Sequence, residues 1–263
     1  MTIPTDLLER QERALARAVL YRLASALFRY PDGDARRDRR AAAEGVPAAL
    51  ARGLAAEERE ALLAGLAELD RLDAPERVER DHARLIGHTP RAAATPYETE
   101  WRGAAGELLQ FHQLADLSGF YRAYGLALDS SCHERPDHLA VELAFLHFLC
   151  AKEAYACAEG LPDLAELARA GQRRFLADHL LAWAPGFCLR LERDDPSGFY
   201  GRAARLLADW MAAERRLLDV PEAEAAVDLG ASRTTLEDCC VACDASAACV
   251  AGSARGEGPG GAP

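Results

Sequence analysis

Valine, isoleucine and threonine together supply only seventeen of the 263 residues. Strands are built from β-branched and aromatic side chains, so a sheet of any size is excluded. A doubly wound α/β fold, a β/α barrel and a β-sandwich go with it. Positive charge is also short. Lys+Arg number 31 against 42 Asp+Glu, a formal charge of −11, and Lys152 is the one lysine. An acidic surface repels phosphate, which argues against nucleic acid or an anionic membrane as the main partner; it would attract a basic peptide. No stretch of about 18 apolar residues runs unbroken, so no transmembrane helix is expected. Asp6, Glu9, Arg10, Glu12, Arg13 and Arg17 interrupt any apolar leader in the first 22 residues. The expectation is a soluble protein that stays in the cytoplasm. Nucleotide-binding glycine loops, the H-E-x-x-H zinc motif and the G-x-S-x-G nucleophile elbow are all missing, which removes the specific reasons to propose an enzyme.

What is abundant is alanine and leucine, 55 and 38 residues, the strongest helix formers. The fold class expected is all-α. A first helix runs from about Thr5 to Arg29, with Ala16, Leu20, Leu23, Leu27 and Tyr30 on one stripe, and Pro31-Asp32-Gly33 as its stop. The run Arg36 to Arg40 reads as a solvated helix face. Helices follow at about Glu57–Leu72 and Pro75–Ile86, the second with proline at its first position. A turn-rich loop spans Gly87–Pro96. Another helix runs from Trp101 toward Leu117, and a short one opens at Phe120-Tyr121 and stops at Gly125. The clearest helix begins at Pro136: Leu139, Leu143, Leu146 and Cys150 form a stripe that Val141, Phe145, Phe148 and Leu149 widen. An apolar arc that broad marks a central, buried helix, with Gly160 as its stop. The next carries Leu164 to His179 and is broken at Pro185-Gly186. A last helix carries Phe199 to Trp210. Residues 1–220 are thus expected to form one helical domain. Residues 221–263, rich in Ala, Gly and Ser, read as a flexible tail that holds four of the eight cysteines.

Three constellations carry candidate chemistry. Around Glu134-Arg135-Pro136-Asp137-His138, Asp137 offers an acceptor and His138 a switchable donor in the first turn of the central helix. The pair is either a cap that fixes the helix start or a grip for a guanidinium or backbone amide. His138 and Glu142 share a helix face, a spacing suited to a metal pair that His147 and His179 would complete, although a hydrogen-bonded core histidine is the commoner outcome. In Thr95-Pro96-Tyr97-Glu98-Thr99-Glu100-Trp101, two aromatic residues and two carboxylates form either a recognition surface or a helix start with its rings tucked inward; Phe120, Tyr121 and Tyr124 invite the same two readings. Cys239, Cys240, Cys243 and Cys249 hold one C-x-x-C, a weak zinc or redox signal.

The stretch Glu134-Arg135-Pro136-Asp137-His138-Leu139-Ala140-Val141-Glu142-Leu143 resembles the signature of the TorD/DmsD/NarJ family, cytoplasmic chaperones dedicated to assembling molybdenum enzymes. Tyr21-Arg22-Leu23-Ala24 with Tyr30-Pro31, Pro96 to Glu100, Gly119 to Leu126, Lys152-Glu153-Ala154 and Phe175 to Leu180 with Trp183 agree in order and spacing. The resemblance covers about Ala14 to Glu214. Within the family the chain is most similar to chaperones of type II dimethyl-sulfoxide-reductase-like enzymes. The Cys-rich tail departs from the family pattern. The resemblance implies a bundle of about ten helices and a binding protein, not an enzyme. Its partners would be the apo catalytic subunit of a molybdenum oxidoreductase and that subunit's twin-arginine signal peptide. It implies no tightly bound cofactor, because molybdopterin guanine dinucleotide belongs to the client. The chain itself would be a monomer or a homodimer. By position Asp137 and His138 match residues implicated in client binding, beside Glu134, Pro136 and Glu142. Tyr97, Glu98, Trp101, Phe120 and Tyr121 would wall the crevice.

Overall fold

The computed structural model describes residues 4–53, 56–87, 94–102, 107–128 and 134–221, with the side chains of 47–58 and 107–109 left out. All lie within one compact unit, Met1–Val227; the other unit, Asp228–Pro263, falls wholly outside them. The expected tail therefore lies outside the described residues apart from Pro221, and so do Cys239, Cys240, Cys243 and Cys249.

Among the described residues the regular structure is helical, as the shortage of β-branched residues requires. In chain order it comprises α1 (Thr5–Phe28), α2 (Gly33–Gly53), α3 (Ala56–Leu72), α4 (Pro75–Leu85), a 3₁₀ turn (Glu98–Glu100), α5 (Glu107–Ala123), α6 (Leu139–Ala158), α7 (Pro162–Phe175), a π turn (Leu176–Leu180), α8 (Leu181–Asp194) and α9 (Phe199–Leu217). No strand occurs among the described residues, and the lone β-bridge joins Tyr97 to His138.

Helix α6 is the axis of the core. It lies along α1 on one side and α7 on the other, while α8 packs on α9, and α9 on α3 and α4. Leu139, Leu143, Leu146, Leu149 and Cys150 are fully buried. They meet Tyr21 and Phe28 from α1, Phe175 from α7, Trp183 and Phe187 from α8 and Tyr200 from α9 in one cluster. Each such side chain contributes roughly 1.5–3 kcal/mol of transfer free energy. The end of α6 follows from Gly160, whose φ of +68° suits a residue without Cβ. There the Leu161 N–H reaches back to the Ala156 carbonyl at 2.8 Å, which satisfies a carbonyl the helix end would otherwise leave open.

Several expectations need correction. Tyr30 leaves the α1 stripe and is half exposed, because the helix stops at Phe28. Asp32 does more than turn the chain: its Oδ1 accepts the Ala35 N–H at 2.7 Å and starts α2. Arg39 is not solvated. It pairs with Asp73, and its guanidinium lies 5.0 Å from the centre of the Phe199 ring. Phe120 and Tyr121 open no helix of their own but sit in the last turns of α5.

Pro185 does not break its helix either. It is the fifth residue of α8, so its missing N–H releases one carbonyl near the start, and the π turn immediately upstream takes up the change of register. Burial of Trp183, Ala184, Phe187, Cys188 and Leu191 carries the helix through.

Arg17 is buried on α1 and forms a two-pronged pair with Glu214 of α9, Nε to Oε1 at 2.7 Å and Nη2 to Oε2 at 2.6 Å. Its Nη1 reaches Glu153 of α6 at 3.3 Å. Gln172 of α7 donates to the same Glu153 at 2.9 Å, so four helices meet at one buried polar junction.

Candidate functional site

The site is assembled where an extended approach to α6 meets a strap from the segment before α5. Pro136 disfavours helix for the residue before it, and the chain from Glu134 to His138 stays outside the helix. Pro136 and Asp137 therefore lie before α6, not in its first turn, and His138 is the N-cap: its Nδ1 accepts the Ala140 N–H at 3.1 Å. The strap crosses this approach antiparallel. Glu98 N–H donates to the Asp137 carbonyl at 3.0 Å, and Leu139 N–H to the Pro96 carbonyl at 2.8 Å. One of the N–H groups that a helix start leaves without an internal partner is thus satisfied by the strap.

Asp137 is buried, and its carboxylate is fully engaged. It accepts from Thr99 Oγ1 at 2.8 Å and from the Thr99 N–H at 3.3 Å. Arg135 donates to it twice, Nε to Oδ1 at 3.0 Å and Nη2 to Oδ2 at 2.8 Å. The same Nη2 reaches Thr99 Oγ1 at 2.7 Å. The guanidinium carbon stands 4.6 Å from the centre of the Tyr97 ring, within cation–π range. The Tyr97 ring also meets His138 edge-on at 5.3 Å. Burial, with Glu134 close by, pushes the Tyr97 hydroxyl up to about 12.

A second layer lies beneath. Glu98 is buried and accepts from Arg102 Nη1 at 2.6 Å, and Arg102 also donates to the Asp178 carbonyl at 2.8 Å. His179 Nδ1 lies 3.1 Å from Glu98. Glu142, fully buried in the first turn of α6, accepts from Trp183 Nε1 at 3.2 Å. Burial drives its carboxyl well above the usual carboxylate range, and the negative charges of Glu98 and Asp137 push the same way, which favours the protonated acid. Tyr121 donates its hydroxyl proton to the Pro136 carbonyl at 2.8 Å. Phe120 packs edge-on against His179 and Phe175. Trp101 Nε1 donates to the Thr95 carbonyl at 2.7 Å, which fixes the end of the strap.

The structure therefore gathers all ten sequence-predicted residues at one place, where the strap, the end of α5 and the start of α6 converge. Asp137, His138, Glu98, Glu142 and Tyr121 are buried, whereas Glu134, Pro136, Tyr97, Trp101 and Phe120 are half-buried. Sequence reasoning missed Arg135, Thr99, Arg102 and the pairing of Trp183 with Glu142. A signal for the first existed: residues two apart on an extended segment share a face, so Arg135 and Asp137 flank Pro136 on one side. The metal reading finds no support in the geometry. His147 Nδ1 is 2.8 Å from the Ala18 carbonyl, His138 caps its helix, and among the described residues no group of three or more His, Cys, Asp or Glu is placed to hold an ion. Cys150, Cys157 and Cys188 are buried free thiols. No helix among the described residues is long and apolar enough to cross a membrane.

Fold and site together define an all-helical protein whose central helix starts at an Asp-His element clasped by an acidic strap. The chain belongs to the family described as nitrate reductase delta subunit, which matches residues 52–189. It is similar to the chaperone protein TorD of Vibrio cholerae, with 30% identity over 152 residues, 57% of this chain and 66% of the relative. It is also similar to the selenate reductase assembly chaperone protein of Thauera selenatis, 38% identical over 105 residues, 40% of this chain and 52% of the relative. The perchlorate reductase assembly chaperone protein of Dechloromonas aromatica is 44% identical over 72 residues, 27% and 31% of the two chains. The chain thus spans 66% or less of the length of these relatives. Each of them is named for assembly or chaperoning, not for catalysis.

Proposed function

We propose that the protein is a dedicated cytoplasmic chaperone. It binds the apo catalytic subunit of a molybdopterin-containing oxidoreductase together with its twin-arginine signal peptide. In doing so it assists insertion of the client's molybdopterin guanine dinucleotide and delays export. It acts by binding and catalyses no reaction. The observation that carries this reading is the carboxylate of Asp137, which, with Thr99 and the Tyr97 ring, is arranged around a guanidinium. A leader that presents arginines followed by a short apolar stretch matches an acidic surface beside half-buried aromatic residues. Membership of the family and the names of the relatives support the same reading.

Calorimetry of the full chain with a synthetic peptide bearing an Arg-Arg pair followed by an apolar stretch tests it. Binding is expected with wild type. Asp137→Asn keeps the shape and the Thr99 contact but removes the charge, and is expected to weaken binding at least about tenfold, the scale of a lost charge-assisted contact. Absence of heat with wild type overturns the reading.

A further inference from the structure

The arrangement around Asp137 poses a question of access. The carboxylate that would receive a client arginine is 1% exposed, and both its oxygens already hold the guanidinium of Arg135, whose side chain is 41% exposed. An arginine from outside has no open oxygen to bind. It has a half-exposed guanidinium to replace.

The groups around Arg135 are those that recognise any arginine. A carboxylate faces the planar fork, Thr99 Oγ1 adds an acceptor at 2.7 Å, and the Tyr97 face lies at 4.6 Å. Glu100 adds negative charge 3.9 Å from Nη1 and is itself 46% exposed. We infer that Arg135 is an internal stand-in: in the unliganded chain it occupies the cradle that takes an arginine of the client's leader, and it yields to that arginine on binding. This rests on the leader-binding reading above and names how that site is regulated.

Two physical arguments support an exchange over a fixed structural pair. A buried carboxylate left without a counter-charge is strongly destabilising, so an empty cradle needs an occupant until the client arrives. An ion pair with a partner 41% exposed is discounted by solvent, so displacing that partner opposes binding only modestly. Arg135 reaches Asp137 from two residues away, and once released it stays in water beside Glu100. The buried charge is neutralised before and after the exchange.

Wild type, Arg135→Ala and Arg135→Lys are compared with the same Arg-Arg peptide and with N-acetyl-arginine amide as the minimal guanidinium. Arg135→Ala is expected to melt at a lower temperature than wild type. N-acetyl-arginine amide should restore that loss, and N-acetyl-lysine amide at equal concentration should not. The peptide should bind Arg135→Ala about fivefold more tightly than wild type, since the competing internal pair is gone. If Arg135→Ala fails to fold, Arg135→Lys carries the test, because it keeps the charge but lacks the fork and should also bind more tightly than wild type. Peptide affinity that is unchanged or weaker in a folded variant overturns the stand-in while leaving the leader reading in place. No heat with any of the three proteins removes both.

Discussion

Replacing Arg17 by methionine tests the junction at which four helices meet. The Arg17 guanidinium, the Glu214 carboxylate and the Glu153 carboxylate are all at most 2% exposed. Methionine fills most of the volume of the aliphatic stem but leaves Glu214 with the Tyr21 hydroxyl, which donates to it at 2.8 Å, in place of the lost guanidinium. Glu153 retains Arg10 at 2.7 Å and Gln172 at 2.9 Å, so the loss falls mainly on Glu214. Removing one member of a buried pair costs about 3–5 kcal/mol. For a domain of this size that corresponds to a fall in Tm of roughly 6–20 °C. Equilibrium unfolding in urea, followed by far-ultraviolet circular dichroism, reads the change as a lower midpoint at constant slope. The double variant Arg17→Met with Glu214→Leu removes both charges and is expected to return to within about 1 kcal/mol of wild type. A cost below about 1 kcal/mol for the single variant would show that water screens the pair. A double variant as unstable as the single one would show that packing of the arginine stem, not its charge, is what matters.

Two further outcomes are expected. Burial raises the Glu142 carboxyl above the usual carboxylate range that the unfolded chain keeps, so the folded form holds its proton to higher pH and raising the pH favours unfolding. The stability that this proton confers is fully present in acid and is lost as pH rises through the raised folded value. Glu142→Gln, neutral at every pH and still able to accept from Trp183, should match wild type near pH 4 and exceed it increasingly toward pH 8; a difference that stays flat across that range in chemical denaturation refutes the assignment. At Gly201 a Cβ would come within 1.9 Å of the Asp195 carbonyl oxygen, which is backbone and cannot swing aside. Gly201→Ala should therefore lower stability by about 1–3 kcal/mol, and an unchanged melting temperature would show that the backbone at Asp195, ahead of α9, gives way freely.

How much of this was legible follows from which signals are local. Helix α6 was readable because an unbroken apolar arc and a stopping glycine are both written within twenty-five residues. Its start was misplaced by three residues, since Pro136 marks the approach and the cap is a histidine, not one of the usual short polar residues. Pro185 misled because burial of Trp183 and Phe187 outweighs one missing hydrogen bond, a tertiary effect that has no local trace. The burial of Arg17 and Arg39 depends on acids 197 and 34 residues away in sequence, and no periodicity within one helix can show that. At the site, the residues named from the Pro-Asp-His element and the Pro-Tyr-Glu-Thr-Glu loop do converge. The accessibility of Asp137 was not legible, because it depends on the strap folding over it.

The π turn at Leu176–Leu180 has a consequence for alignment. Asp178 and His179 lie within it and Trp183 just beyond, and these three meet Arg102, Glu98 and Glu142. A π turn closes its ring over i→i+5, so it houses one residue more than the α-helical ladder on either side. Deleting a single residue would even out the rod and leave α8 nearly in place, but the wide turn that aims the Asp178 carbonyl and His179 at Arg102 and Glu98 would close. What looks like a flaw in one helix is a notch cut for the strap.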